Sequence, residues 1–202
     1  MVQGPGYAGS VNIVGVILAA GGSTRMGRPK ALLPVGGVPL VRVHQAVLEA
    51  RCREVRVVLG AYDEAIAAAL GPGAVAVPNP RWAESGPRES LLLALEGLAD
   101  DTPVVVTPVD VPPATAESIV RLTAGPPPAA LAHAGDAGHP VLVEAGAARA
   151  ALLAGGTLKD VVGATPRLVE AGPDALRNLN TLEDWTAWTG APVAAGPRKG
   201  SI

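Results

Sequence analysis

Short apolar runs bounded by turn residues recur along the chain at Ile13–Leu18, Val55–Leu59, Val75–Val77, Val104–Val106 and Ala129–Ala132. They lack the apolar–polar alternation of a strand with one wet face, so each predicts a strand buried on both sides. The segments between them carry helical spacing. Pro39–Ala50 places apolar residues at Leu40, Val43, Val47 and Leu48, and Asp63–Leu70 and Glu89–Leu98 are amphipathic or alanine-rich in the same way. Strand and helix alternate at roughly 30-residue spacing, the length of a βαβ unit, which predicts a parallel sheet covered by helices on both faces.

After the Gly125–Pro128 break the rhythm changes. Gly138–Val143 reads as a hairpin-type, non-parallel strand, followed by helices at Ala147–Ala154 and Leu158–Val162 and a strand at Arg167–Glu170. A last helix, Leu182–Thr189, is announced by Thr181 with Asp184 three residues on, a capping-box spacing. The expected architecture is one Rossmann-like, three-layer α/β/α domain with a mostly parallel, mixed sheet. It spans residues 1–190, with residues 191–202 as a loose tail.

Composition narrows the function classes. With 202 residues, 49% hydrophobic and 17% charged, the chain has ample material for one packed core. A net charge of -2 with no Phe and two Tyr gives neither the basic footprint nor the stacking surface of a nucleic-acid binder. The one cysteine, Cys52, rules out an internal disulfide or a cysteine zinc cluster and reads as a small core residue at a helix end. Met1–Ser10 has no basic leader pattern, and the apolar stretch after it is too short to span a bilayer. A cytoplasmic protein acting away from membranes is the expectation.

The chemistry is concentrated between Leu18 and Leu40, directly after the first predicted strand. Glycines at 21, 22 and 27 allow backbone N–H groups to approach an anion, and Arg25 and Lys30 bring two cations to the same loop. Two familiar phosphate fingerprints do not apply. Gly4, Gly6 and Gly9 match G-x-G-x-x-G but precede the first strand. Gly22 and Gly27 have P-loop spacing, yet Arg28–Pro29 stands where Lys and Ser/Thr would grip phosphate and magnesium. In open α/β sheets ligands bind beyond the carboxyl ends of strands, and Asp110 and Asn180 fall in segments expected there.

The sequence Leu18-Ala-Ala-Gly-Gly-Ser-Thr-Arg-Met-Gly-Arg-Pro-Lys30 resembles, at every fixed position, the L-A-A-G-x-S-x-R-M-G-x-x-K signature of MobA-like nucleotidyltransferases. The likeness continues through Asn79–Pro80, Ser90–Leu91, Pro108–Pro112, Gly138–Val141 and Asn178–Asp184. Within the family the chain is most similar to molybdenum cofactor cytidylyltransferases, with the guanylyltransferases as near cousins. The resemblance implies the nucleotide-diphospho-sugar transferase type of fold. It implies transfer of a nucleoside monophosphate from CTP or GTP to a phosphate-bearing acceptor such as molybdopterin, with Mg2+ and release of pyrophosphate. A molybdoenzyme or its chaperone is the protein partner such an activity would serve.

In that reading the catalytic residues are Arg25, Lys30 and Asp110, because joining two anionic phosphates calls for cations and a metal. The nucleotide would lie against Leu18, Ala19, Ala20, Gly21, Gly22 and Ser23, with Asn79 and Ser90 further along. Asp110 offers the carboxylate oxygen that a hard cation prefers, and Asn180 completes the metal site or meets the acceptor. Asn79–Pro80 also reads as a turn and Asn180 as a capping residue. His139 and Lys159 are candidates for the acceptor side, although a lone histidine is more often structural and Lys159 suits a solvated helix face. Arg88 would meet a phosphate or solvent. His44, His133, Trp185 and Trp188 are expected in packing.

The Ala19-Ala20-Gly21 wording favours CTP, since the Ala20 methyl would narrow the space beside a base; guanylyltransferases usually read Ala-Gly-Gly there. Two other classes remain open. One is an NAD(P)H-dependent oxidoreductase of the nicotine-blue type recruited from this fold, and the other a binding module that keeps the loop without turnover.

Overall fold

The computed structural model describes residues 12–191. The Gly4–Gly9 fingerprint and nearly all of the 191–202 segment lie outside the described residues. The first half of the chain runs β1 (Val14–Leu18), β2 (Pro34–Val35), β3 (Val38–Pro39), α1 (Leu40–Glu49), β4 (Glu54–Leu59), α2 (Asp63–Ala69), β5 (Ala74–Pro78) and α3 (Pro87–Leu95). The second half runs β6 (Pro103–Pro108), α4 (Ala116–Thr123), β7 (Ala129–His133), β8 (Asp136–Glu144), α5 (Ala145–Leu153), α6 (Leu158–Val162), β9 (Arg167–Glu170) and α7 (Leu182–Thr189).

Seven strands form one sheet in the order β5-β4-β1-β6-β8-β7-β9, and β2 pairs with β3 in a separate two-residue ribbon. The pairs β5–β4, β4–β1, β1–β6 and β7–β9 are parallel. β8 runs against both β6 and β7. The change of rhythm in the second half is therefore one reversed strand, entered through a tight β7–β8 hairpin at Ala134–Gly135, both with positive φ.

The unbroken apolar runs follow from burial on both faces. Ile17, Val57, Val105, Leu131 and Leu142 point into a cluster with Leu40 and Leu48 of α1, Ile66 of α2 and Ile119 and Leu122 of α4. Val14, Val16, Val104, Val106 and Val141 point the other way, against Leu91 and Leu95 of α3, Ala148 and Leu152 of α5 and Val162 of α6. This is a three-layer α/β/α arrangement. Truncating a fully buried member such as Ile17 or Leu122 to Ala would cost about 2–5 kcal/mol. Cys52 is buried just past α1, and burial pushes its thiol up to about 12, so it packs and does not react.

α4 was not apparent as a helix in the sequence pattern. Its buried side includes Ser118 and Thr123 beside Ile119 and Leu122, which blurs the apolar stripe. Both hydroxyls are satisfied locally: Ser118 Oγ accepts from Thr115 Oγ1 at 2.9 Å, and Thr123 Oγ1 donates to Ile119 O at 2.8 Å. No helix of the described residues is long and apolar enough to cross a membrane.

The topology sets the site. β1, β4 and β6 end on the same edge, and the chain stays pinned there: Ala19 N donates to Val58 O at 3.0 Å and Val109 N to Leu18 O at 3.0 Å. From α1, the buried His44 Nε2 meets Val111 O at 3.1 Å, tying down the turn after Asp110. Burial disfavours the imidazolium and lowers this ring to about 4 from 6.5. Between these two values the unfolded chain takes up a proton that the folded chain refuses, so stability falls as pH falls through the window. The full effect is of order 3 kcal/mol. The stability advantage of the wild type over His44→Gln in urea unfolding should shrink between pH 7 and pH 4.5; an advantage independent of pH would show that His44 carries no such linkage.

Candidate functional site

The segment after β1 rises over the sheet edge and turns through Ser23 (φ 48) and Gly27 (φ 67). Glycine suits position 27 because left-handed backbone penalises a Cβ. Gly21 has a different use: a Cβ there would meet nothing within 4 Å, so the position leaves open space at the loop. A 3-10 turn, Thr24–Met26, drops the buried Met26 into the core and leaves Arg25 exposed. Ser23 Oγ accepts from Lys30 N at 3.1 Å, which closes the loop on itself.

Lys30 opens a second 3-10 turn, Lys30–Leu32. Its side chain is only 10% exposed, and Nζ donates to Asp110 Oδ2 at 3.2 Å and to Asn180 Oδ1 at 2.9 Å. Arg25 Nη2 reaches the same Asn180 oxygen at 3.4 Å. Four side chains from three distant parts of the sequence thus converge at the end of the sheet. Asp110 follows β6, and Leu179 N donates to Asp110 O at 2.7 Å, so the turn bearing Asn180 is attached to the turn bearing Asp110. Asn180 N and Thr181 N both donate to Asp184 Oδ2, at 2.9 and 2.8 Å. These backbone N–H groups, first Thr181 and then Asn180, hold the Asp184 carboxyl below the usual carboxylate range. The capping box of α7 therefore also fixes Asn180.

A cavity of about 400 Å³ lies beside this cluster, lined by Leu18–Gly21, Ser23, Arg25, Lys30 and Asp110. Trp82, Ser85–Pro87 and Ser90 line it as well. Asn79, 3% exposed, is not among the lining residues. Its Nδ2 donates to Ser85 Oγ at 2.9 Å and Ser90 Oγ at 3.1 Å, while its Oδ1 accepts from Arg81 N at 3.1 Å. Asn79, expected to meet the nucleotide, thus supports two residues that themselves line the cavity, Ser85 and Ser90. Ala20 is 8% exposed and belongs to the cluster around Val58 and Val106. Its methyl has little surface with which to crowd a base.

The acceptor-side candidates separate. His139 on β8 is half-buried; its Nδ1 is buried without a hydrogen-bond partner. Burial lowers its pKa, with the Asp110 charge acting in the opposite direction. Lys159 is exposed on α6, which packs on α5 and β8, and lines no part of the cavity. Arg88 donates to Glu89 Oε1 at 2.7 Å, and this bond draws the Glu89 carboxyl down to about 2. Trp185 is buried and meets Trp188 edge to face, as packing residues. His133 instead meets Glu170 at 2.9 Å on the surface.

A matching family model, described as the MobA-like NTP transferase domain, covers residues 15–170. The chain belongs to this family. By membership it is a nucleotidyltransferase of the MobA type, an enzyme class that transfers nucleotidyl groups. A molybdenum cofactor guanylyltransferase from Serratia proteamaculans is 32% identical over 87% of this chain and 93% of its own length. A nicotine blue oxidoreductase from Paenarthrobacter nicotinovorans is 34% identical over 66% of this chain and 72% of its own. Among solved structures, a nucleotidyl transferase from Methanothermobacter thermautotroptrophicus superposes with a TM-score of 0.75 at 25% identity, covering 88% of this chain and 96% of that one. The fold is of the nucleotide-diphospho-sugar transferase type.

Two residues escaped the sequence reading. Trp82 had no motif to mark it, and Gly60 matters only because the fold brings it beneath Trp82. A Cβ on Gly60 would stand 2.5 Å from both Ala20 O and Trp82 Cβ. For Asn79, replacement by Ala removes one acceptor and two donor contacts in a buried place, so it should destabilise the chain by about 1–3 kcal/mol in urea unfolding. Unchanged stability would contradict its supporting role.

Proposed function

We propose that this chain transfers a nucleoside monophosphate from a nucleoside triphosphate to the phosphate of a molybdopterin-type acceptor, releasing pyrophosphate. The observation that carries the proposal is the convergence of Lys30, Arg25, Asp110 and Asn180 beside a glycine-containing loop at the sheet's carboxyl edge. In such a reaction an acceptor phosphate oxygen bonds to the α-phosphorus as the bond to the β-phosphate oxygen breaks. Both partners are anions, so the site must neutralise charge rather than supply a covalent nucleophile.

The residues fit that demand. Ala20, Gly21 and Ser23 of the loop after β1 line the cavity, where their backbone N–H groups would meet phosphate, and the open space at Gly21 admits close approach. Lys30 brings its charge to the α-phosphate with little freedom to lose, because packing and two acceptors already position it. Arg25, exposed at the rim, suits the departing pyrophosphate.

A magnesium ion fits the donor set. Asp110 and Asn180 present one carboxylate and one amide oxygen to the same point, where an ammonium already stands. Magnesium needs only one or two carboxylates when phosphates and water supply the rest. Among the described residues no three His, Cys, Asp or Glu are grouped for a metal, so phosphate and water oxygens would have to complete the ligand set. Bound there, the ion would add positive charge to the phosphate oxygens.

For the donor, the guanylyltransferase name of the Serratia relative favours GTP, while the Ala19-Ala20-Gly21 wording points to CTP; the near-complete burial of Ala20 weakens the second argument. The acceptor would approach from the β8 side, where His139 holds a buried Nδ1 without a hydrogen-bond partner. A soluble, cytoplasmic setting serving a molybdoenzyme or its chaperone belongs to this proposal. A second reading, NAD(P)H-dependent reduction, is favoured by the nicotine blue oxidoreductase relative.

With magnesium and molybdopterin, pyrophosphate release should be faster with GTP than with CTP at equal concentration; equal rates, or faster release with CTP, would contradict a preference for GTP. Asp110→Asn should reduce release by roughly a hundredfold or more, the scale of losing a group that stabilises transition-state charge. Nucleotide binding measured by equilibrium dialysis should survive in that variant. Oxidation of NADPH by the wild type without any triphosphate requirement would instead establish the second reading.

A further inference from the structure

We infer that Trp82 is the platform on which the nucleobase of the donor stacks, an assignment that rests on the nucleotidyl-transfer reading above. The chain has three Trp, two Tyr and no Phe, so an aromatic ring in a ligand cavity needs a reason. Trp185 is buried in the core and Trp188 leans on it. Trp82 is different: it is 38% exposed and lines the same cavity as the phosphate loop.

Two glycines from separate segments make room for this indole. A Cβ at Gly22 would lie 3.2 Å from the Trp82 ring, and one at Gly60 would lie 2.5 and 2.8 Å from its Cβ and Cγ. The turn that carries it is held firmly, with Trp82 N donating to Asn79 O at 3.2 Å and Ser85 N to Arg81 O at 2.8 Å. Asn79 N is itself attached to Leu59 O at 2.7 Å, so the ring is referenced to the end of β4. A ring placed this way keeps an open face without needing to be ordered by the ligand.

The direction of the cavity selects the base as the ligand. In the sheet β4 lies on one side of β1 and β6 on the other. Lys30 and Asp110 mark the reacting phosphate on the β6 side, whereas Trp82 stands over Gly60 on the β4 side. A triphosphate seated on the loop between them therefore extends its nucleoside toward Trp82 and away from β8, where the acceptor enters. Beside the ring, the Ser85 and Ser90 hydroxyls accept from Asn79 and retain a proton to donate to a base edge. Stacking is tolerant of base identity because every base has a π-face, so Trp82 supplies affinity and the flanking polar groups supply choice.

The test uses the full chain with magnesium and three probes: GTP, CTP and inorganic tripolyphosphate. Each nucleotide should quench the Trp82 contribution to fluorescence, tripolyphosphate should not, and the quenching should vanish in Trp82→Leu. In equilibrium dialysis Trp82→Leu should lose about tenfold or more in nucleotide affinity, the usual scale of a base–aromatic stack, with tripolyphosphate affinity unchanged. Trp82→Phe, which keeps a flat ring, should recover most of the loss, and this rescue separates stacking from a folding role. Equal nucleotide affinity in Trp82→Leu and wild type, or equal quenching by tripolyphosphate and nucleotide, would overturn the assignment while nucleotidyl transfer stands. Failure of the wild type to bind either nucleotide would contradict nucleotidyl transfer itself, and the base platform with it.

Discussion

A lysine ammonium with little access to water must be partnered, and the partners chosen for Lys30 organise everything around it. Asp110 and Asn180 supply the two oxygens, Arg25 adds a second cation to Asn180, and the Ser23 hydroxyl holds the Lys30 backbone. Removing one acceptor would leave a largely desolvated charge, a cost of several kcal/mol when a buried pair is broken. The cluster thus has one arrangement in the empty protein. In the proposed reaction a phosphate entering it would find cations already placed, and the oxygens they release would become free for a metal.

The sheet makes this arrangement possible at low cost in ordering. Parallel strands deliver their following loops to one edge, so the loops after β1, β4 and β6 meet without long excursions. Secondary anchors then fix each loop: His44 on Val111, Leu179 on Asp110 and Asp184 on Asn180. None of these anchors touches the cavity's phosphate end, yet each limits the motion of a residue that does. The reversed strand β8 pairs with β6, the strand that leads to Asp110, and under the proposed reaction it would offer the acceptor a separate approach.

Much of this was legible in the chain. β1 and β6 were readable because strands buried on both faces are apolar at every position, and the loop after β1 was readable because glycines and two cations are packed into a short span. Asp110 and Asn180 were also picked out, since a polar residue at a strand or helix boundary stands against an apolar background. The remainder depends on contacts between distant segments. α4 hides because the Ser118 and Thr123 hydroxyls find partners at the N-cap and in the preceding turn of the helix and can be buried. Trp82 acquires meaning only from Gly60, some two dozen positions away, and Asn79 reads as a turn until Ser85 and Ser90 are seen on its amide. Lys159, picked out as an acceptor contact, sits exposed on α6, which packs on α5 and β8, and is not among the residues lining the cavity.

The most direct test is a crystal structure of the chain with magnesium and a GTP analogue whose α–β bridge cannot be cleaved. The account predicts the α-phosphate against the loop after β1, within hydrogen-bond reach of Lys30 Nζ, with Asp110 turned to the metal. A triphosphate bound elsewhere, with the Lys30–Asp110–Asn180 contacts undisturbed, would contradict it.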